Sequence, residues 1–278
     1  MKPLKKPDIN KIEIYNDSCN SIKDKAKANK LLKYLYIYLL NICDYQRIIQ
    51  NNNDNDIRMP IYMKNFVNYE DIKNDIKNLY KCLINNKEPR KYYNRIMDNT
   101  NLSICPNCGV GVVFTLDHYL PKDKFSIFSV YPNNLIPCCR DCNTNKSNKL
   151  DRVIHPYFDD FSKYPWLYAK LNWQEYCIDF YVDTPKEYTK YKLKIETSFE
   201  IFRLNKLYSA NAINEIISYI QDLKEENLSC KDIEQELKIK YNKQNKVDVN
   251  SWKTALYRCL YEDKLFHSNY KDILNKWI

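Results

Sequence analysis

Two short cysteine pairs carry the strongest chemical signal in the chain. CPNC holds Cys105 and Cys108, CRDC holds Cys139 and Cys142, and 30 residues separate the pairs. That spacing is the pattern of a four-thiolate zinc site. Each tight turn offers two sulfurs to one ion at about 2.3 Å, and the chain between loops out and returns. Gly109, just past the first pair, suits such a turn. Cys138 competes as a ligand, because it makes C-x3-C with Cys142; the commoner C-x2-C spacing favours Cys139. Isolated Cys43, Cys82 and Cys259 lack this clustering and are expected as buried thiols. Zn²⁺ closed by four thiolates has no open position and does no chemistry, so its expected role is that of a staple.

The stapled residues read GVGVVFTLDHYLPKDKFSIFSVYPNNLIP, followed by CCRDCNTNKSN. Val112 to His118 is expected as a strand and Asn133 to Pro137 as a second. RDCNTNKSNKL is expected to open a helix with Asp141 or Asn143 near its N-cap. Four polar groups stand out: Asp117, His118, Asn134 and Asn143. They suit metal-assisted hydrolysis of a phosphodiester. A hard divalent ion takes oxygen ligands, which the Asp117 carboxylate and the Asn143 amide can supply. Such an ion stabilises charge on the phosphate and the departing oxygen. His118 can take the proton of the attacking water near neutral pH. Asp117 and His118 are neighbours, however, and a regular strand points them to opposite faces. Both serve one substrate only if the strand twists or ends there. Lys146, three residues beyond Asn143, is expected to touch a phosphate, with Lys122 and Lys124 as further candidates. His155 and Asp159 are candidates to support the ligands from behind, and His267 is expected to be structural or on the surface.

The run LDH…NNL…CxxCNxxK resembles the HNH, or ββα-metal, endonuclease family in its zinc-stapled branch. The resemblance covers roughly residues 100–150. It implies that Asp117 is a metal ligand, that His118 is the general base and that Asn134, with Asn133 as its near rival, orients that histidine. Asn143 stands where many members have histidine, giving an H-N-N version. An amide oxygen in place of an imidazole nitrogen points to Mg²⁺ or Mn²⁺ as the catalytic ion. The resemblance also implies products with 5′-phosphate and 3′-hydroxyl ends. DHYLPKDKF, HPYFDD and NSWKTALY are similar to PtuB-type HNH proteins, which accompany an ATPase in bacterial anti-phage systems; this implies a partner ATPase.

The elements that must position these groups are mostly helical. Only two glycines, Gly109 and Gly111, occur in 278 residues, which argues against a large all-β fold with many tight turns. Residues 22–50 and 68–98 are expected as two amphipathic helical stretches joined by a polar loop, NNNDND (51–56). In the first, Leu31, Leu32, Leu35, Leu39, Ile42 and Cys43 share a face; in the second, Ile72, Ile76, Tyr80 and Leu83 do. YCIDFYV (176–182) alternates like a strand, and YKLKIETSFEI (191–201) is its expected partner. Leu207, Ala210, Ile213, Ile217, Ile220 and Leu223 mark a long helix. Residues 229–241 and 250–266 form two more. The expected fold is mostly α (α+β): a helical protein with an embedded ββα-metal unit stapled by zinc. Its parts are an N-terminal helical region (1–100), the stapled nuclease core (101–160), and a C-terminal helical region with a short β segment (161–278).

The net charge is +9, and the excess is N-terminal, where residues 1–100 carry 19 Lys+Arg against 12 Asp+Glu. This suits a polyanion, since Lys and Arg displace counterions condensed on phosphates. Nucleic acid, double-stranded DNA in first place, is the expected partner. The start, MKPLKKPDINKIEIY, has no apolar run of a secretory signal, and LLKYLYIYLLNIC (31–43) is interrupted by Lys33 and too short for a membrane span. A cytoplasmic protein is expected, in which clustered cysteines mean metal rather than disulfide. The rival function is a non-catalytic zinc module that binds nucleic acid or protein; it leaves Asp117, His118 and Asn143 without a joint purpose.

Overall fold

The computed structural model describes residues 3–50, 69–226 and 228–277. The expected NNNDND loop lies outside them. The described chain is mostly helical with two small two-stranded sheets. It divides into two compact units, residues 4–106 with 110–157, and residues 158–278 with Pro3 and the turn 107–109.

The first unit opens with α1 (Lys11–Asn20), α2 (Lys25–Leu32) and α3 (Leu35–Gln50). Asn10 and Asp24 cap the first two by accepting from Ile12 N and Lys27 N. The break at Lys33–Tyr34 resets the helical phase. Leu31 and Ile42 are therefore buried as expected, but Cys43 is exposed, and α3 buries Ile37, Tyr38, Asn41, Tyr45 and Ile49 instead. Next come α4 (Tyr69–Asn85) and α5 (Lys87–Met97). The expected stripe on α4 is real: Ile72, Ile76, Tyr80 and Leu83 are all buried.

β1 (Thr115–His118) and β2 (Leu135–Cys138) pair antiparallel, with Asp117 opposite Ile136 and His118 opposite Leu135. Pro137 costs no ladder bond beyond this pair, because each strand is an edge. α6 (Arg140–Lys146) follows at once. Residues on both sides of position 100 pack together in this unit. Ile14 of α1, Tyr80 and Leu83 of α4, Tyr92 and Ile96 of α5, and Leu116 and Leu135 of the two strands form one core. Each such burial is worth about 1.5–3 kcal/mol, so the stapled segment and the N-terminal helices stabilise each other.

The second unit begins with the hairpin β3 (Leu167–Asn172) and β4 (Cys177–Val182), in register from Leu167↔Val182 to Asn172↔Cys177. β4 is the expected strand, but its partner is β3. Residues expected to pair with it form α7 (Lys192–Ile201). Strand alternation would put Leu193 and Ile195 on one face, yet Leu193 is 51% exposed and Ile195 is 0% exposed. Helical spacing of Ile195, Ser198 and Phe202 wins, all three being buried. α8 (Leu204–Glu226), α9 (Cys230–Val247), α10 (Trp252–Glu262) and α11 (Lys264–Trp277) complete the unit. Ser229 and Asp232 form a capping box on α9. Buried Asn250 ties the hairpin entry down: its Oδ1 accepts from Trp166 N at 2.8 Å and its Nδ2 donates to Phe161 O at 2.9 Å. Among the described residues no helix is long and apolar enough to cross a membrane.

Candidate functional site

The four sulfurs of Cys105, Cys108, Cys139 and Cys142 lie within 4.8 Å of one another, and all four residues are buried. Sulfurs around one tetrahedral zinc at about 2.3 Å fit such a cluster. Gly109 takes φ +68° directly after the first pair, a conformation that a side chain would resist. Cys139 is the N-cap of α6, in place of the expected Asp141 or Asn143, and its Sγ accepts from Cys142 N at 3.4 Å. A sulfur ligand therefore also starts the helix. Cys138 sits one residue earlier on β2, opposite Thr115, and is outside the cluster. The donor set is that of a structural Zn²⁺ site. It anchors the start of α6 beside the end of β2.

β1 and α6 meet at a cleft of about 370 Å³, lined among others by Tyr80, Asp117, His118, Lys122, Asn143 and Asn148. The difficulty with adjacent Asp117 and His118 is met because β1 ends at His118. The chain turns there, and both residues line the same cleft. His118 Nε2 lies 2.9 Å from the backbone carbonyl of Ser129. A carbonyl only accepts, so Nε2 carries the hydrogen and Nδ1 keeps its lone pair. The Tyr80 ring stands edge-on at 4.4 Å, and Tyr80 Oη is itself fixed on Leu116 O at 2.9 Å. Burial, reinforced by the Lys122 ammonium, pushes the imidazole down to about 3. His118 is thus neutral at ordinary pH.

Asp117 is also buried, and its Oδ2 is 2.9 Å from Lys146 Nζ. The same ammonium donates to His118 O at 2.8 Å. Burial raises the Asp117 carboxyl, against the pull of the Lys146 charge. The Lys146 side chain is 2% exposed and is turned onto Asp117. Half-buried Lys122 lines the cleft, and its ammonium lies 4.6 Å from the centre of the Tyr80 ring. Burial lowers its pKa. Lys124 is exposed. Asn143 is half-buried in the lining, in the turn of α6 before Lys146. A carboxylate and an amide oxygen therefore share the cleft, which is a fitting donor pair for a hard divalent ion.

Asn134 lies behind the cleft and makes no described bond to His118. It is fully buried; its Oδ1 accepts from Leu120 N at 2.8 Å and Tyr45 Oη at 2.9 Å, and its Nδ2 donates to Leu120 O and Phe128 O. It locks the 119–134 loop, and the loop brings Ser129 O to the imidazole. Asn133 donates instead to Tyr131 Oη at 3.0 Å. His155 supports this back wall through Tyr45, with Nε2 3.2 Å from Tyr45 Oη and Nδ1 accepting from Tyr157 N. Asp159 pairs with buried Lys194 at 2.6 Å, within the second unit. His267 is buried on Leu260 O at 3.0 Å. Tyr80 and Tyr45 are the site residues that sequence reasoning missed. Both have the helical spacing of ordinary core aromatics, so nothing in the sequence singles them out.

The chain has a relative among viral proteins. It is similar to Protein ea31 of Escherichia phage lambda, 29% identical over an alignment of 199 residues that covers 63% of this chain and 67% of the relative. No family model and no solved structure matches the chain.

Proposed function

We propose that the chain is an HNH-type, metal-dependent endonuclease that hydrolyses phosphodiester bonds, with DNA as its substrate. The observation that carries this reading is the meeting of Asp117, His118 and Asn143 in the lining of one cleft, beside a four-cysteine staple. His118 is uncharged and its Nδ1 lone pair accepts the proton of the attacking water. Ser129 O holds the ring in that tautomer. Asp117 and Asn143 would hold Mg²⁺ or Mn²⁺, which when bound supplies neutralisation of the phosphate and the leaving oxygen. Lys122 adds a positive charge to the cleft wall, and the +9 net charge favours a polyanion. The family resemblance implies 5′-phosphate and 3′-hydroxyl ends, and control by an ATPase partner in anti-phage defence.

The test is nicking of supercoiled plasmid with Mg²⁺ or Mn²⁺, by the native chain and by His118→Ala. The expected result is loss of nicking with zinc content and helicity unchanged. Equal cutting by the variant would defeat the assignment. A second reading, a zinc-stapled binding module without catalysis, draws on the Lys146 ammonium already seated on Asp117. It predicts one tight zinc and no weaker Mg²⁺ site.

A further inference from the structure

We propose that Lys146 is a built-in competitor for the divalent ion: its ammonium occupies the Asp117 carboxylate until a metal ion displaces it, so one residue of α6 sets the metal affinity of the cleft. This rests on the metal-dependent reading above. The Lys146 ammonium is held at 2.9 Å by Asp117 Oδ2 and at 2.8 Å by His118 O, with the side chains 2% and 9% exposed in the Lys146–Asp117 pair. A lysine this buried needs polar partners, and here both partners belong to the residues that define the site.

The helix makes the competition direct. Asn143 and Lys146 are three residues apart on α6, hence neighbours on its surface. The same turn thus presents an amide oxygen suited to an ion and an ammonium that already sits on the ion's carboxylate. Two cations on one desolvated carboxylate repel strongly, because little water separates or screens them. Binding is then an exchange of one cation for another at the carboxylate, and no covalent bond changes. Without metal, Lys146 keeps a buried carboxylate neutralised and β1 docked on α6. With metal, the ammonium must find another place. The cost of that move weakens the apparent affinity for the ion.

The experiment titrates the zinc-loaded full chain with Mn²⁺, reading free Mn²⁺ by electron paramagnetic resonance, for the native protein and Lys146→Met. Methionine keeps an unbranched stem and removes the charge. Binding is expected to tighten roughly tenfold or more in the variant. Equal or weaker binding, with native binding intact, overturns the competition while leaving the nuclease reading standing. If neither protein binds Mn²⁺ beyond its zinc, the nuclease reading fails and the competition with it. Because the variant leaves Asp117 without its partner, the native chain provides a second readout. With ¹⁵N in its lysine side chains, the slowly exchanging Lys146 ammonium signal should shift or vanish on Mg²⁺ saturation. A signal unchanged at saturating Mg²⁺ overturns the proposal by itself.

Discussion

Lys146 Nζ sits 2.9 Å from Asp117 Oδ2, and the pair is almost fully removed from solvent. The two residues come from different elements, α6 and β1, and their contact ties the two elements together. Removing one partner leaves an uncompensated buried charge. Lys146→Ala should therefore lower the stability of the first unit by about 3–5 kcal/mol. Asp117→Ala combined with Lys146→Ala should recover a large part of that loss. Denaturant melts of the two single variants and the double variant measure the coupling, and additive losses would show the pair to be energetically idle.

The zinc staple makes a prediction of a different kind. Cys105→Ser should lose the metal and unfold the segment from β1 to α6, since binding and local folding are coupled. Metal analysis should show the loss of the zinc ion. Thermal melts should show a destabilised or split transition, whereas Cys43→Ser, an exposed position, should change neither.

Asn134 tests the back wall. Three of its side-chain bonds join buried polar groups of the 119–134 loop, and a fourth comes from Tyr45 of α3. Asn134→Ala strands at least Leu120 N, a donor that costs about 1–3 kcal/mol when left unsatisfied. The expected phenotype is a destabilised chain that keeps its zinc. Hydrogen exchange should speed up at Leu120; unchanged exchange there would contradict the locking role.

The depressed imidazole of His118 fixes the sign of one pH dependence. Its folded value, pushed down to about 3, lies below the usual 6.5. Between those values the unfolded chain binds the proton and the folded chain does not. His118 thus contributes full stability above about pH 6.5, and that contribution is lost as pH falls toward 3. The slope is at most about 1.4 kcal/mol per pH unit. Denaturant midpoints between pH 7.5 and 5.5 should fall less in His118→Gln than in the native chain; parallel curves would rule the effect out.

The local chemistry was legible along the chain, and the partnerships were not. Cys105, Cys108, Cys139 and Cys142 announce their cluster by spacing alone, and the stripe of Ile72, Ile76, Tyr80 and Leu83 announces a buried helix face. Both signals span a few residues and obey a fixed period. The β4 partner is not legible along the chain, because YKLKI satisfies alternation over five residues while burial at Ile195 and Ser198 selects a helix. On α8 the buried stripe runs through Leu204, Tyr208, Ala212, Ile216 and Tyr219, so Ala210, expected inside, is exposed. Its tyrosines are core residues there, and counting only aliphatics shifted the phase.

By itself, the sequence determined a mostly helical chain, the thiolate cluster, and which residue types could hold an ion or take a proton. Tertiary structure alone decided that Lys146 faces Asp117, that Asn134 locks a loop, and that Ser129 O chooses the His118 tautomer. The physical reason is distance along the chain. Residue type and period are encoded locally, but which buried charge meets which depends on how β1, the 119–134 loop and α6 close on one another, and no period in the sequence records that.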